Sequence, residues 1–205
     1  MTFLLILVIS FYLHGLGITV GYHRLLAHRS FSCPKFVEYF LVISGYLAWE
    51  GSPAWWTSVH RAHHVHSDGA KDPHSPNNGL AHSYFVWMAH QDNEIINPEA
   101  NSKDVLADPF YRLLEKGDDP LIVVVNVGAR LALWYFFGWQ IALANFLGSV
   151  VALQIPLMLN VFCHLPKLGY RNYETDDKSS NVWWIGWLAA GEGWHNNHHA
   201  FPGSI

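Results

Sequence analysis

"LIVVVNVGARLALWYFFGWQIALANFLGSVVALQIPLMLNVFCH", residues 121–164, decides the architecture of this chain. Between Leu131 and Pro166 there is no Asp, Glu, Lys or Arg, and the apolar character begins at Leu121. One helix across a bilayer takes about 20 residues, so this run is too long for a single crossing and suits two. Gly138 and Trp139 supply the turn, which predicts spans at about 121–137 and 140–163. Arg130 then falls within a span, a costly place unless its guanidinium faces protein or water. Asn126, one turn earlier, is the only partner the sequence offers it.

Working outward, residues 1–22 ("MTFLLILVISFYLHGLGITVGY") carry no charge and predict a further span. They lack the basic start and small-residue cleavage site of a signal peptide. Residues 36–58 are apolar only in patches, with an uncharged core of 11 residues from Tyr39 to Trp49 between Glu38 and Glu50. That is too short to cross, and it reads as one interfacial helix. The whole is therefore an all-α, multi-pass membrane fold in a single domain, 1–205. A cytosolic helical cap comprises 59–119 and 164–205. Eleven of the twelve Lys and Arg residues lie in 23–119 or 164–205, which puts that side in the cytoplasm by the positive-inside tendency.

Composition agrees: 51% of the 205 residues are hydrophobic and 14% charged, against about 25% in an ordinary soluble domain. A net charge of -4 gives no reason to expect a nucleic-acid partner. Cys33 and Cys163 read as free thiols.

Fourteen histidines outnumber lysine and arginine combined. "HRLLAH" (His23, His28) follows the first span, and "HRAHH" (His60, His63, His64) follows the interfacial stretch. "NVFCH" sets Asn160 and His164 one turn apart where the last span ends, and "HNNHH" (His195, His198, His199) lies in the tail. Neutral imidazoles are the commonest metal ligands, and helix positions i, i+3 and i+4 share a face. Nine histidines exceed the needs of one ion and suit two metals with four or five nitrogens each. Iron, copper, nickel and zinc all accept such donors. His14, inside the first span, reads as packed or internally hydrogen-bonded, and His66, His82 and His90 as solvated loop residues. His74 is intermediate. Asp68, Asp72 and Glu192 are candidates to hold the far nitrogen of a ligating ring.

The stretches "GITVGYHRLLAHRSF", "HRAHHVHSDGAKDPHS", "NVFCH" and "GEGWHNNHHAFPG" together resemble the membrane fatty-acyl desaturases of the delta-9 type. The resemblance implies two irons held by His23, His28, His60, His63, His64, His164, His195, His198 and His199, with Asn160 acting through a bound water. Zinc is a possible substitute for iron. It also implies an oxygen-dependent enzyme that places a cis double bond, at the delta-9 position, in a saturated acyl chain. Trp56 matches a tryptophan lining the bent acyl tunnel, whereas Trp55 reads as an interfacial anchor. Electrons would come from a ferredoxin or a cytochrome b5-like donor, since no haem or flavin motif is present.

Two departures accompany the resemblance. Relatives carry a further membrane helix before the first box and continue beyond "HNNHHAFPGSI", so the chain is expected to be an incomplete piece. Where the animal enzymes place polar and charged residues to touch coenzyme A, this chain has Ser58 and Val59, which favours an acyl-lipid over an acyl-CoA substrate. The rival readings are a histidine-box hydroxylase or ketolase acting on alkyl chains or carotenoids, and a metal-binding or metal-transport membrane protein. Transport is disfavoured because Arg130 is the one ionisable side chain strictly within a span other than histidine.

Overall fold

The computed structural model describes residues 1–115 and 118–204. Lys116, Gly117 and Ile205, which the sequence assigns to the cap, lie outside the described residues. The longer helices are α1 (Thr2–Leu16, running on as a π-helix over Gly17–Ala27), α2 (Lys35–Tyr46) and α3 (Pro53–His66). The short helices α4 (Leu80–Tyr84), α5 (Pro98–Asn101), α6 (Lys103–Leu106) and α7 (Pro109–Glu115) follow. The pair α8 (Asp118–Phe137) and α9 (Trp139–Phe162) comes next, then the short α10 (Trp183–Leu188) and α11 (His195–Ala200). Among the described residues there is no strand, only two isolated bridges.

Among the described residues three helices are long and apolar enough to cross a membrane: Thr2–Ala27, Pro120–Phe137 and Trp139–Phe162. The first is longer than the predicted 1–22. The winding changes at Gly17 and the helix continues through box one, with His28 N donating to His23 O at 3.1 Å. The α8–α9 turn falls at Gly138, whose φ of 91° a residue with a Cβ rarely adopts. Leu4, Leu5, Val8 and Ile9 of α1 and Val124, Leu131 and Trp134 of α8 are exposed, as lipid-facing side chains must be.

The single interfacial helix expected at 36–58 is two helices. Ser52 is extended (φ -72°, ψ 150°), because a residue before proline is driven out of the α region, and Pro53 then opens α3 at its first turn. Trp49 and Gly51 both have positive φ, so the chain reverses between the two helices. The α2 helix packs against the π-helical segment with backbones touching: a Cβ on Gly17 would lie 2.2 Å from Gly45 N. Tyr22, Val42, Tyr46 and Tyr111 fill the core between α2, α7 and this segment.

Arg130 finds more partners than the sequence offered. Its Nη1 donates to Asn126 Oδ1 at 2.6 Å and its Nη2 to Leu47 O at 2.5 Å. Leu47 ends α2, so the cation neutralises exposed carbonyls at a helix C-terminus and ties α8 to the α2–α3 turn. His14 is buried, with Nδ1 2.8 Å from Ser44 O and Nε2 3.2 Å from Asn145 Nδ2, the internal bonding expected of it.

Candidate metal centre

Each box reaches the site through a local winding that suits its spacing. HxxxxH separates His23 and His28 by five residues, which in an α-helix turns through about 500° and leaves them on different faces. A π-helix bonds residue i to i+5, stacking them on one side, and the His28 to His23 backbone bond is of that kind. Boxes two and three sit on α3 and α11, where i and i+4 lie about 40° apart and i+3 falls on the other flank of i.

Nine imidazoles converge as two sets. The first comprises His23, His28, His60, His64 and His198, and the second His63, His164, His195 and His199; within each set the potential ligand atoms all lie within 4.8 Å of one another. Each HxxHH therefore divides in the same way. His60 and His64 serve the first set while His63 faces the second; His195 and His199 serve the second while His198 faces the first. The sequence predicted the residues and their number but not this exchange.

The Nε2 atoms point inward. Separations are 2.7 Å for His28–His60 and 3.0 Å for His60–His64, His64–His198 and His23–His198. In the second set His195 Nε2 lies 3.0 Å from both His164 Nε2 and His199 Nε2. Four rings have a carboxylate on the other nitrogen: His23 with Glu192 (2.6 Å), His63 with Asp72 (2.9 Å), His164 with Asp68 (2.9 Å) and His199 with Asp177 (2.6 Å). Such a carboxylate accepts a hydrogen bond from Nδ1–H, which keeps the proton on Nδ1 and leaves a lone pair on Nε2.

His164 and His199 thus aim lone pairs at His195 Nε2, which has at most one proton to give. Lone pairs crowded this way repel unless a cation lies among them. Two nitrogens bound at right angles about 2.1 Å from one ion sit about 3.0 Å apart, the spacing found here. The residues fit a pair of nitrogen-ligated metals. Burial, reinforced by neighbouring imidazoles, holds His60, His63, His64, His195 and His198 well below the ordinary histidine range and His28 at about 2. Neutral rings are the form that binds metal.

Other residues fall outside the two sets. His74 is buried with its ring centroid 4.3 Å from that of His63, and its Nδ1 lies 3.8 Å from Asp72, so it backs the second set. His66 ends α3, which runs on past the expected 58, and His82 lies on α4, a short helix the apolar pattern did not mark, so neither is the loop residue expected. His90 is exposed. Asn160 presents its backbone carbonyl to Ser83 Oγ at 3.0 Å, and the residue lines the central cavity beside His63 and His195.

That cavity, about 700 Å³, runs from the histidines between α3, α8 and α9 and is walled by Ile18, Tyr46, Leu114, Ile122, Leu153 and Ile155. Trp56 lines it, stacked on His60 (centroids 5.0 Å, 16° between planes), with Nε1 donating to Glu50 Oε2 at 2.8 Å. Burial raises Glu50 to about 8 against the Trp56 bond, so at neutral pH it is mostly a neutral acid. Trp55 does not reach out as an anchor: it stacks on Trp87 at 6.0 Å and also lines the cavity.

Sequence reasoning missed Glu50 and Asp177. Glu50 carried a signal, a lone acid abutting an apolar run. Asp177 carried none: it sits in a loop, accepting from Ser179 N (2.9 Å) and Thr175 Oγ1 (2.7 Å). Burial raises its carboxyl, but the bonds from His199, Ser179 and Thr175 outweigh that and hold it well below the usual range. Asp177→Ala is expected to weaken metal retention in the second set by about 10–100-fold, the usual cost of losing such a partner. Metal analysis after chelator dialysis should fall from two ions per chain towards one, and undiminished occupancy would show that Asp177 does not hold His199.

The fatty acid desaturase family profile matches residues 1–204. The chain is 42% identical over 188 residues to an sn-1 stearoyl-lipid 9-desaturase of Anabaena variabilis (91% of this chain, 67% of the relative). It is 41% identical over 194 residues to delta-9 acyl-lipid desaturase 1 of Arabidopsis thaliana (93% and 61%). It is 40% identical over 195 residues to an acyl-CoA 5-desaturase of Anemone leveillei (90% and 57%). The chain thus spans about half to two thirds of the length of such relatives. A profile match over nearly every residue, at the histidines whose convergence the fold explains, places this chain in the fatty acid desaturase family.

Proposed function

We propose that this chain carries the metal centre and acyl cavity of an acyl-lipid desaturase forming a cis double bond, at the delta-9 position, in a saturated chain. The observation that carries the reading is the 700 Å³ apolar cavity ending on two sets of inward-facing imidazoles. An unactivated methylene yields hydrogen only to an oxidant stronger than any side chain. Two iron ions, one on each set of histidines, would supply that oxidant from dioxygen. The nine histidines would hold the two ions, and Asn160 would act through a bound water. Overall, one saturated bond, one dioxygen, two electrons and two protons become one double bond and two waters. The electrons come from a donor of the ferredoxin or cytochrome b5 class.

The protein's part is to place the chain and keep it dry. Apolar walls hold the acyl chain beside the histidines, and a fixed geometry decides which carbons react. The Trp56 ring, pinned by Glu50 and stacked on His60, forms the wall nearest the metals. Among the described residues lining the cavity there is no Lys or Arg, while Glu50, Glu115 and Glu192 are present. Coenzyme A would bring phosphates to a cavity without a cation, which favours acyl chains on membrane lipid. Eleven of the twelve basic residues lie in 23–119 or 164–205, the regions that carry the nine histidines, which supports a cytoplasmic centre.

Reduced protein in bilayers, offered acyl-lipid and acyl-CoA separately, tests the reading. An alkene formed faster from the lipid is the expected product. An alcohol or ketone would point to the hydroxylase reading, and rapid turnover of acyl-CoA alone would overturn the carrier. Trp56→Ala in the same assay is expected to lower activity and scatter the double-bond position, with a packing loss smaller than the roughly 3–5 kcal/mol of a fully buried ring because Trp56 is partly buried. An unchanged bond position would remove Trp56 from the cavity wall.

A further inference from the structure

The α10 helix, in the segment assigned to an aqueous cap, is six residues long with the sequence WWIGWL. Ile185 is buried, and with Val182 and Ala189 it packs on Ile155 and Leu159 of α9 and on Cys163 just past its end. Trp183, Trp187 and Leu188 face away and are 62%, 80% and 55% exposed. Two large indoles and a leucine on one short helix are an unfavourable surface for water, and no described element covers them.

Their depth follows from α9. Trp139, at its start, and Trp134, near the end of α8, are exposed and mark an aromatic belt at the far membrane face. Ile155 lies 16 residues further on, about 24 Å along the axis at 1.5 Å per residue. The hydrocarbon core is about 30 Å thick, so Ile155 sits about 6 Å short of its near edge. A helix resting on Ile155 and Leu159 therefore lies at the edge of the bilayer rather than above it.

We propose that α10 is a second interfacial helix, with Trp183, Trp187 and Leu188 inserted at the headgroup–acyl boundary, and that it sets the height of the third histidine box. The proposal rests on the membrane-spanning reading of α9. The coupling to the box is direct. Val182 N donates to Gly193 O at 2.7 Å, two residues before His195. Gly186 and Gly193 touch so closely that a Cβ on Gly193 would lie 2.1 Å from Gly186 N. Indoles suit this boundary because the ring is apolar and the N–H finds water or headgroups. Bonded to α10, His195 and the rest of α11 cannot sink or rise without moving the tryptophans.

Site-directed nitroxide labelling of the full chain in phospholipid bilayers tests this, with Cys33→Ser to remove the accessible thiol. Labels go at Trp187→Cys and Leu188→Cys, with Leu131→Cys as a lipid-facing control and Arg171→Cys as an aqueous one. The expected result is that labels at 187 and 188 collide several-fold more with oxygen than with a water-soluble nickel chelate, as at 131 and opposite to 171. Chelate-accessible labels at 187 and 188 with a lipid-like label at 131 would overturn the proposal alone. A chelate-accessible label at 131 would overturn the spanning reading and the proposal with it. Protection of 187 that arises only on adding a reduced ferredoxin or cytochrome b5 would assign the patch to a protein donor instead.

Discussion

His63→Ala or His198→Ala is expected to abolish turnover while the protein stays in the membrane. Each is an i+3 residue of its box, reaching across to the set that its i and i+4 companions do not serve. Removing either takes one nitrogen from a set and breaks the lattice that both sets share. His63 also orients Asp72, whose Oδ2 accepts from Asp68 N at 2.7 Å, and Asp68 in turn holds His164. One alanine thus disturbs two ligands of the second set. The loss should exceed the roughly 10–100-fold that follows removal of an outer partner alone. Membrane placement should survive, since α1, α8 and α9 carry the apolar surface. His66→Ala, on the part-exposed end of α3, should keep most activity. Equal inactivation of His66→Ala and His63→Ala in a desaturation assay would contradict the division between sets and bystanders.

How much of this was legible in the sequence depends on whether the signal is local. The paired spans and the box residues were legible because charge-free runs and i, i+3, i+4 spacing are properties of single segments. The break between α2 and α3 was marked by Gly51, Ser52 and Pro53, yet the apolar patches on either side disguised it. The π-helix was hidden differently. HxxxxH makes geometric sense only with i→i+5 winding, and the spacing itself was the clue. Allocation of nine histidines to sets of five and four depends on how α3 and α11 face each other, which no single segment contains. Asp177 and the Leu47 carbonyl beneath Arg130 belong to that class, as contacts between segments 22 and 83 residues apart. The exposed face of α10 was visible as three tryptophans in five residues, but its depth came only from the packing on Ile155.

Acid should unfold the metal-free protein well before it denatures an ordinary helical bundle. His28, His60, His63, His64, His195, His198 and His199 are all held below the ordinary histidine value, by burial first and by their neighbours second. In His199 a carboxylate, Asp177, pulls the other way without cancelling the burial. In the unfolded chain each ring would take a proton near pH 6.5, so below that pH the unfolded state binds more protons than the folded one. Stability therefore rises with pH: it is complete above about 6.5 and falls as the pH drops towards the folded values. Each ring held neutral costs about 1.4 kcal/mol for every pH unit below that point. A few such rings suffice to exhaust the roughly 5–15 kcal/mol of a folded protein within one or two units. Thermal melts of chelator-treated protein in lipid should shift steeply downward between pH 6.5 and 5. Protein loaded with iron or zinc should hold its midpoint further into acid, because the ion stabilises only the folded state. A midpoint of the metal-free protein that stays level across that range would mean that these rings are protonated, or hydrated, in the fold. The converging lone pairs that make the site a metal centre would then not exist.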